Sequence, residues 1–325
     1  MVAVISMETL TEETEEELAA EQDLASLRTP VDDEIDGKFV AALEEWDAVG
    51  FKEIDPQAAI PYVNVPQCSR IITFEEAAES IVDSVNMEDH RQTIKPVVQR
   101  KGLKKWLYKL FGAEAMVVEL IEERCLMFAL AQVPFDSDSK CHNQMLQTIY
   151  RKLSNSTYDS PRFGAHWETI GFQGNDPATD LRGCGILGLL QLLYLSTHPD
   201  NEAVTKDIYN ISVDHVQNFP FAVMGINMTK IALEALREDC LNKLCNRRRC
   251  VAPVLNDFYV GTYLIMFLSW QKSAATVSDT GHILQEVAKF VKASPSVVIS
   301  NLEFYRENGM HNTFCEQHFT NLASV

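Results

Sequence analysis

From Thr73 onward the apolar residues of this chain recur at the spacing of helix faces. Thr73-Phe74-Glu75-Glu76 has the form of a capping box, and Ala77, Ile81 and Val85 follow at four-residue steps. The same reading predicts helices over 101–111, closed by Gly112, and over 115–133, strongly apolar with Pro134 beyond its end. A further helix is expected over 142–153, where Met145, Ile149 and Leu153 share a face. After a loop over 154–179, helices are expected at 181–196, 202–217, 229–244, 253–271 and 278–292. A last one is expected at 295–307, with Pro295 in its first turn. Leu233, Leu236, Cys240 and Leu244 are spaced as one buried helical stripe. No alternating runs are joined by Asn-Gly or Asp-Gly turns, so strands are not expected. The pattern predicts an all-α, multi-helix globular domain over about 73–310, followed by a short tail, 311–325.

Upstream the pattern changes. Residues 1–35 are polar and acidic, with TEETEEELAAEQD at their centre, and are expected to be disordered apart from transient helix near 15–27. Phe39, Leu43 and Trp46 suit a short amphipathic helix over 38–49, and Pro56, Pro61 and Pro66 suit an extended linker over 50–72. The expected division is therefore an acidic tail and linker at 1–72 and the helical domain after it.

Charge sharpens that division. The 325 residues carry a formal net charge of −18, but residues 1–50 hold 15 acidic and 2 basic side chains, leaving −5 to the other 275. A nearly balanced folded part lacks the basic footprint of a nucleic-acid binder. Eight cysteines are scattered without a CxxC pair. Cys68, Cys125, Cys141, Cys184 and Cys315 are expected to be reduced thiols, buried or half-buried. Cys240, Cys245 and Cys250 step about 140° apart on a helix and cannot share one face, so no metal site is expected. The start, MVAVISMETL, has no basic n-region, and the apolar run 258–270 is broken by Gly261, Thr262 and Ser269. It is too short for a transmembrane helix of about 20 residues. The expectation is a cytoplasmic protein that is not secreted and whose contact with membranes or cytoskeleton is at most peripheral.

No GxSxG, Walker-type loop, GxGxxG or HExxH is present, so no stand-alone catalytic site is recognised. Arg91, Lys95, Arg100, Lys101, Lys104, Lys105 and Lys109 are interleaved with Trp106, Tyr108 and Phe111. They form either a solvated face balancing the acidic tail or a contact for anionic lipid or an acidic partner. Arg247, Arg248 and Arg249 close a helix, where cations suit the dipole, and His166 beside Trp167 reads as a structural hydrogen-bonder.

The segment WETIGFQGNDPATDLRGCGILGLLQL, residues 167–192, is the most informative. It places Arg182 where a helix should begin, amid Gly, Pro, Thr and Asp. A helix N-terminus welcomes carboxylates such as Asp176 and Asp180 and mildly opposes a cation. Arg182 is therefore either a functional group or a structural arginine paired with Asp176 or Asp180.

This segment resembles the signature of the ELMO domain family. The matching positions are Trp167, Gly171, Phe172, Gln173, Pro177, Thr179, Asp180, Leu181, Arg182, Gly183, Gly185, Leu189 and Leu192. The likeness runs from about Leu146 to Tyr305, through LQTIYRKL, NFPFAVMGINMT and ALREDCLNKLCN, with an ELMO-like core expected at about 140–305. One departure is Leu181, where many members have Phe.

The resemblance implies a GTPase-activating protein for Arf-family small GTPases, Arf-like ones included, with Arg182 as a catalytic finger supplied in trans. The partner would be the GTPase in its GTP form. GTP and Mg²⁺ would be held by that partner, and this chain would need no cofactor or metal of its own. Arginine suits the task because it stays protonated and presents a planar fork of donors to phosphoryl oxygens. In this reading Thr179 and Asp180 cap the helix, Gly183 and Gly185 allow close approach, and Trp167 and Phe172 anchor the loop. Pro177 shapes the loop, and Gln173 either positions water or hydrogen-bonds within it. The alternative is a non-catalytic interaction module in cytoskeletal or membrane-traffic regulation.

Overall fold

The structure, a computed structural model, describes residues 68–90, 92–98 and 112–309. The tail, the expected helices over 15–27, 38–49 and 101–111, most of the basic stretch, Cys315 and the C-terminal tail lie outside the described residues. The described residues form helices and no strands. These are α1 (Phe74–Ser84), α2 (Met87–His90), α3 (Ile121–Leu130), α4 (Lys140–Ser154), α5 (Gly185–Thr197) and α6 (Glu202–Ser212). The remainder are α7 (Phe221–Arg237), α8 (Asn242–Arg248), α9 (Ala252–Lys272), α10 (Thr280–Ala293) and α11 (Pro295–Asn308).

Helices α5 and α9 are the centre. Gly185 to Leu195 is buried throughout α5, and α9 buries Phe258, Tyr259, Tyr263, Phe267 and Trp270. A helix that is apolar on every side must be surrounded by other helices. Helix α7 packs on both, α4 and α1 cover α5, and α10 and α11 cover α9. Among the described residues no helix is long and apolar enough to cross a membrane.

Elements signalled locally fall where expected. The Thr73–Glu76 capping box is present, with Glu76 N–H donating to Thr73 Oγ1 at 3.2 Å and Thr73 N–H to Glu76 Oε2 at 3.1 Å. The expected 202–217 helix stops at Ser212, because Asp214 Oδ1 accepts from Val216 and Gln217 N–H at 2.8 and 2.9 Å and takes over as a turn. The expected helix over 115–133 starts late, as a 3-10 turn at Val118–Leu120 leading into α3.

The largest difference is at 229–244. Helix α7 begins at Phe221, ends at Arg237, and is separated from α8 by Asp239 at φ +72°. The cause is Arg124 of α3, which is 3% exposed. Its guanidinium donates to Asp239 Oδ1 at 2.9 Å, to the carbonyls of Leu236 and Arg237, and to Asn242 Oδ1 at 3.4 Å. The carbonyls left open at a helix end are thus satisfied from another helix. Leu233 and Leu236 on α7 and Leu244 on α8 are buried on two helices rather than in one stripe, and Cys240 is only half-buried.

Candidate functional site: the Arg182 loop

The loop is built from its aromatic anchor outward. Trp167 is fully buried in a 3-10 turn, Ala165–Ile170, and its Nε1 donates to Arg162 O at 3.1 Å. Its ring meets Tyr150 edge-on at 5.3 Å and Phe172 at 6.1 Å, so the indole fixes both ends of the loop to α4. His166 lies in the same cluster, its Nε2 2.9 Å from Pro161 O, and burial pulls its pKa below the usual imidazole value.

Gly171 follows at φ +81°, and a Cβ there would lie 2.1 Å from Phe221 N and 2.5 Å from Pro220 C. Gly171 O accepts from Val223 N–H at 3.0 Å. The loop is thereby pressed against the start of α7, at a distance and backbone angle that only glycine allows.

Asp176 caps the next element, a 3-10 helix at Pro177–Gly183. Its Oδ1 accepts from Ala178 N–H at 2.9 Å, and Thr179 Oγ1 donates to Asp176 O at 2.8 Å. Pro177 occupies the first turn and is buried. Arg162 pairs with Asp176 at 2.8 Å, and its guanidinium lies 4.6 Å from the ring centroids of both Phe135 and Phe163. Asp180 accepts from Gln173 N–H at 2.8 Å, closing the loop on itself. Burial pushes the Asp180 carboxyl up to about 6, with the Asp176 charge adding to the rise, and the Gln173 hydrogen bond and Lys230 opposing it.

The capping expectation is corrected by this geometry. Asp176 is the cap, Thr179 is tied to its carbonyl, and Asp180 instead bridges to Gln173. Gln173 contributes its backbone N–H, and its side chain makes no hydrogen bond among the described residues. The expected helix at 181–196 is two elements. The 3-10 helix ends at Gly183, Cys184 turns at φ −141°, and α5 starts at Gly185. Gly185 has φ +52°, and a Cβ there would lie 2.6 Å from Ala131 O and Val133 O. Ile186 N–H donates to Val133 O at 2.8 Å, which seats the α5 start on the chain leaving α3.

Arg182 sits on this support. It is exposed, in the last turn of the 3-10 helix, and no hydrogen bond or ion pair holds it among the described residues. The pairing with Asp176 or Asp180 is not made, since Asp176 faces Arg162 and Asp180 faces Gln173. Nor does the chain oppose the cation there, because it ends a helical turn rather than beginning one. Leu181 beside it is 1% exposed and faces the core. Gly183 is exposed, and a Cβ on it would meet Lys230 Cε at 2.9 Å.

Lys230 and Arg162 carry part of this site and are not read from the sequence. No periodicity or motif links Lys230 on α7 to Gly183; the link exists only because α7 crosses the 3-10 helix. Elsewhere, Arg248 at the end of α8 is tied to Asp257 and Glu303, both at 2.7 Å. Cys184 and Cys245 are buried and Cys125, Cys141, Cys240 and Cys250 are half-buried, while Cys68 is exposed, contrary to expectation. Burial pushes the Cys184 thiol up to about 12, so it stays protonated. Among the described residues no three His, Cys, Asp or Glu side chains are placed to share a metal ion.

Comparison with known proteins points the same way as the loop. The ELMO/CED-12 family model matches residues 125–284. The chain is 40% identical over 268 residues to "ELMO domain-containing protein 3" of Mus musculus, covering 82% of this chain and 69% of that protein. It is 29% identical over 167 residues to "ELMO domain-containing protein 2" of Homo sapiens, covering 51% of this chain and 54% of that one. It is 38% identical over 105 residues to "ELMO domain-containing protein B" of Dictyostelium discoideum, covering 32% and 36%. No solved structure matches. The likeness to the first of these covers most of both chains, and with the family model over the Arg182 loop it places the chain in a family: it belongs to the ELMO/CED-12 family.

Proposed function

We propose that this protein activates GTP hydrolysis by an Arf-family small GTPase, Arf or Arf-like, inserting Arg182 into the partner's nucleotide site. The observation that carries the reading is the contrast within one loop. Asp176, Thr179, Asp180, Trp167 and Arg162 are each held by a hydrogen bond or ion pair, while Arg182 projects unused. A finger must be rigidly supported at its base and free at its tip, and this loop offers both. Family membership supports the partner class, since ELMO proteins act with small GTPases.

During phosphoryl transfer to water, negative charge spreads over the γ-phosphoryl oxygens, and a guanidinium brought there stabilises it. An arginine supplied in trans accelerates hydrolysis by roughly 10³–10⁵-fold. GTP and Mg²⁺ belong to the partner, and this chain supplies the cation and the surface that presents it. The helical domain, about 73–310, carries the activity.

The test is GTP hydrolysis by a panel of Arf and Arf-like GTPases with excess purified full-length protein, wild type or Arg182→Lys. Acceleration by wild type that is lost in a folded Arg182→Lys supports the reading. Acceleration that survives the substitution moves the catalytic group elsewhere. No acceleration across the panel favours a non-catalytic interaction module.

A further inference from the structure

Lys230 is a cation for which the loop already described has no internal use. It projects from α7 across the 3-10 helix that carries Arg182, and its stem fills the place a side chain on residue 183 would take. Lys230 Cε lies 2.9 Å and Nζ 3.4 Å from the Cβ that Gly183 lacks. Gly183 has no positive φ, and the atoms a Cβ there would meet belong to the far end of the lysine. Lys230 is half-buried, and no hydrogen bond or ion pair holds it among the described residues. Asp180 feels its charge without pairing with it. One turn earlier on α7, the Asn227 amide is 8% exposed and its Nδ2 has no hydrogen-bond partner. Positions three apart share a helix face, so the buried Asn227 amide lies on the Lys230 side of α7.

Arg182 adjoins Gly183 in sequence and Lys230 meets it across the fold; Asp180 lies near enough to feel Lys230 but makes no ion pair with it, so both cations keep their donors for an arriving anion. We propose that Lys230 and Arg182 form a two-cation receptor for phosphate oxygens, with Lys230 binding the partner's nucleotide phosphates while Arg182 acts in the transition state. The division follows from the side chains. Lys230 is half-buried and presents a point charge, which suits binding of an already charged group. Arg182 is free to swing and presents a fork. For its partner the inference rests on the activator reading; for its anion site it does not.

The first experiment titrates full-length protein with inorganic tripolyphosphate and follows the Gly183 and Gly185 amide resonances. Saturable shifts are expected in wild type, with binding at least about fivefold weaker in Lys230→Met and in Arg182→Gln, and near wild type in Lys230→Arg. No shift in wild type, or equal binding in Lys230→Met at unchanged thermal stability, overturns the proposal.

The second experiment uses any GTPase that wild type accelerates. Lys230→Met should raise the half-saturating concentration about tenfold and leave the maximal rate within about twofold, as loss of uniform binding does. Lys230→Arg should recover it. A collapse of maximal rate at unchanged half-saturation would overturn the assigned role. If no GTPase responds, the activator reading falls and the tripolyphosphate titration still decides the anion site.

Discussion

Arg124 and Arg182 are the same side chain in opposite situations. Arg124 is 3% exposed and spends its guanidinium on Asp239, Asn242 and the end of α7. Arg182 is exposed and spends its guanidinium on nothing among the described residues. The first binds three helices into one fold. The second is surrounded by groups that bind each other and leave it out. A buried charge must be fully answered from within, whereas an exposed one can be left for a partner. The difference separates an arginine that holds the fold from one the fold leaves free, without reference to sequence motifs.

Substitution at these two arginines should give unlike results. Arg124→Met takes the charged donor away from Asp239 and from the α7 carbonyls, and should cost about 3–5 kcal/mol of stability by chemical denaturation. A cost below about 1 kcal/mol would mean the node is replaceable, and the contrast with Arg182 would lose its structural half.

The glycines that seat the Arg182 loop come next. Gly185→Ala would put a Cβ 2.6 Å from two backbone oxygens at φ +52°, where the backbone cannot yield cheaply. A loss of about 2–4 kcal/mol is expected. Full stability would show that α5 can shift away from the chain leaving α3, and the support under Arg182 would be softer than described.

Asp180 offers a pH test of the same support. Its folded pKa is raised from 3.8 to about 6, so between those values the folded protein binds more protons than the unfolded chain. Stability from this group is present below pH about 4 and is lost as pH rises through about 6. Asp180→Asn retains an acceptor for Gln173 N–H and cannot ionise. It should be more stable than wild type by about 1–3 kcal/mol at pH 7.5, with the gain vanishing near pH 4. Melting temperatures of both proteins across that range check it. A destabilised Asn variant at pH 7.5 would mean that the Asp180 charge serves Lys230 more than burial opposes it.

How much of this was legible depends on the range of the cause. The Thr73 cap and the apolar run of α9 are set by residues close in sequence, and pattern reading finds them; the turn at Gly185 is set by the carbonyls of Ala131 and Val133, and the helix expected over 181–196 runs straight through it. The break after Arg237 is set by Arg124, 115 positions from Asp239, and no local pattern announces it. Within the loop, Asp176-Pro177 is a local start signal, yet two aspartates compete for one cap, and only the path of the chain decides that Asp180 turns back to Gln173. The ELMO motif and an odd position single out Arg182 in the sequence, although the oddness has a different cause. It lies at the end of a 3-10 helix and not at the start of an α-helix. Lys230 meets Gly183 only across the fold.

The smallest stability effect and the most direct test belong to the same substitution. Arg182→Lys should leave the melting temperature within about 2 °C of wild type, because the side chain is exposed and makes no hydrogen bond or ion pair among the described residues. On the proposed function, an Arf-family GTPase whose hydrolysis wild type accelerates should lose that acceleration almost completely with the same variant. Measuring both on one preparation tests the central claim. A stable, inactive variant is the predicted result. A variant that unfolds in step with its loss of activity, or that stays active, would contradict it.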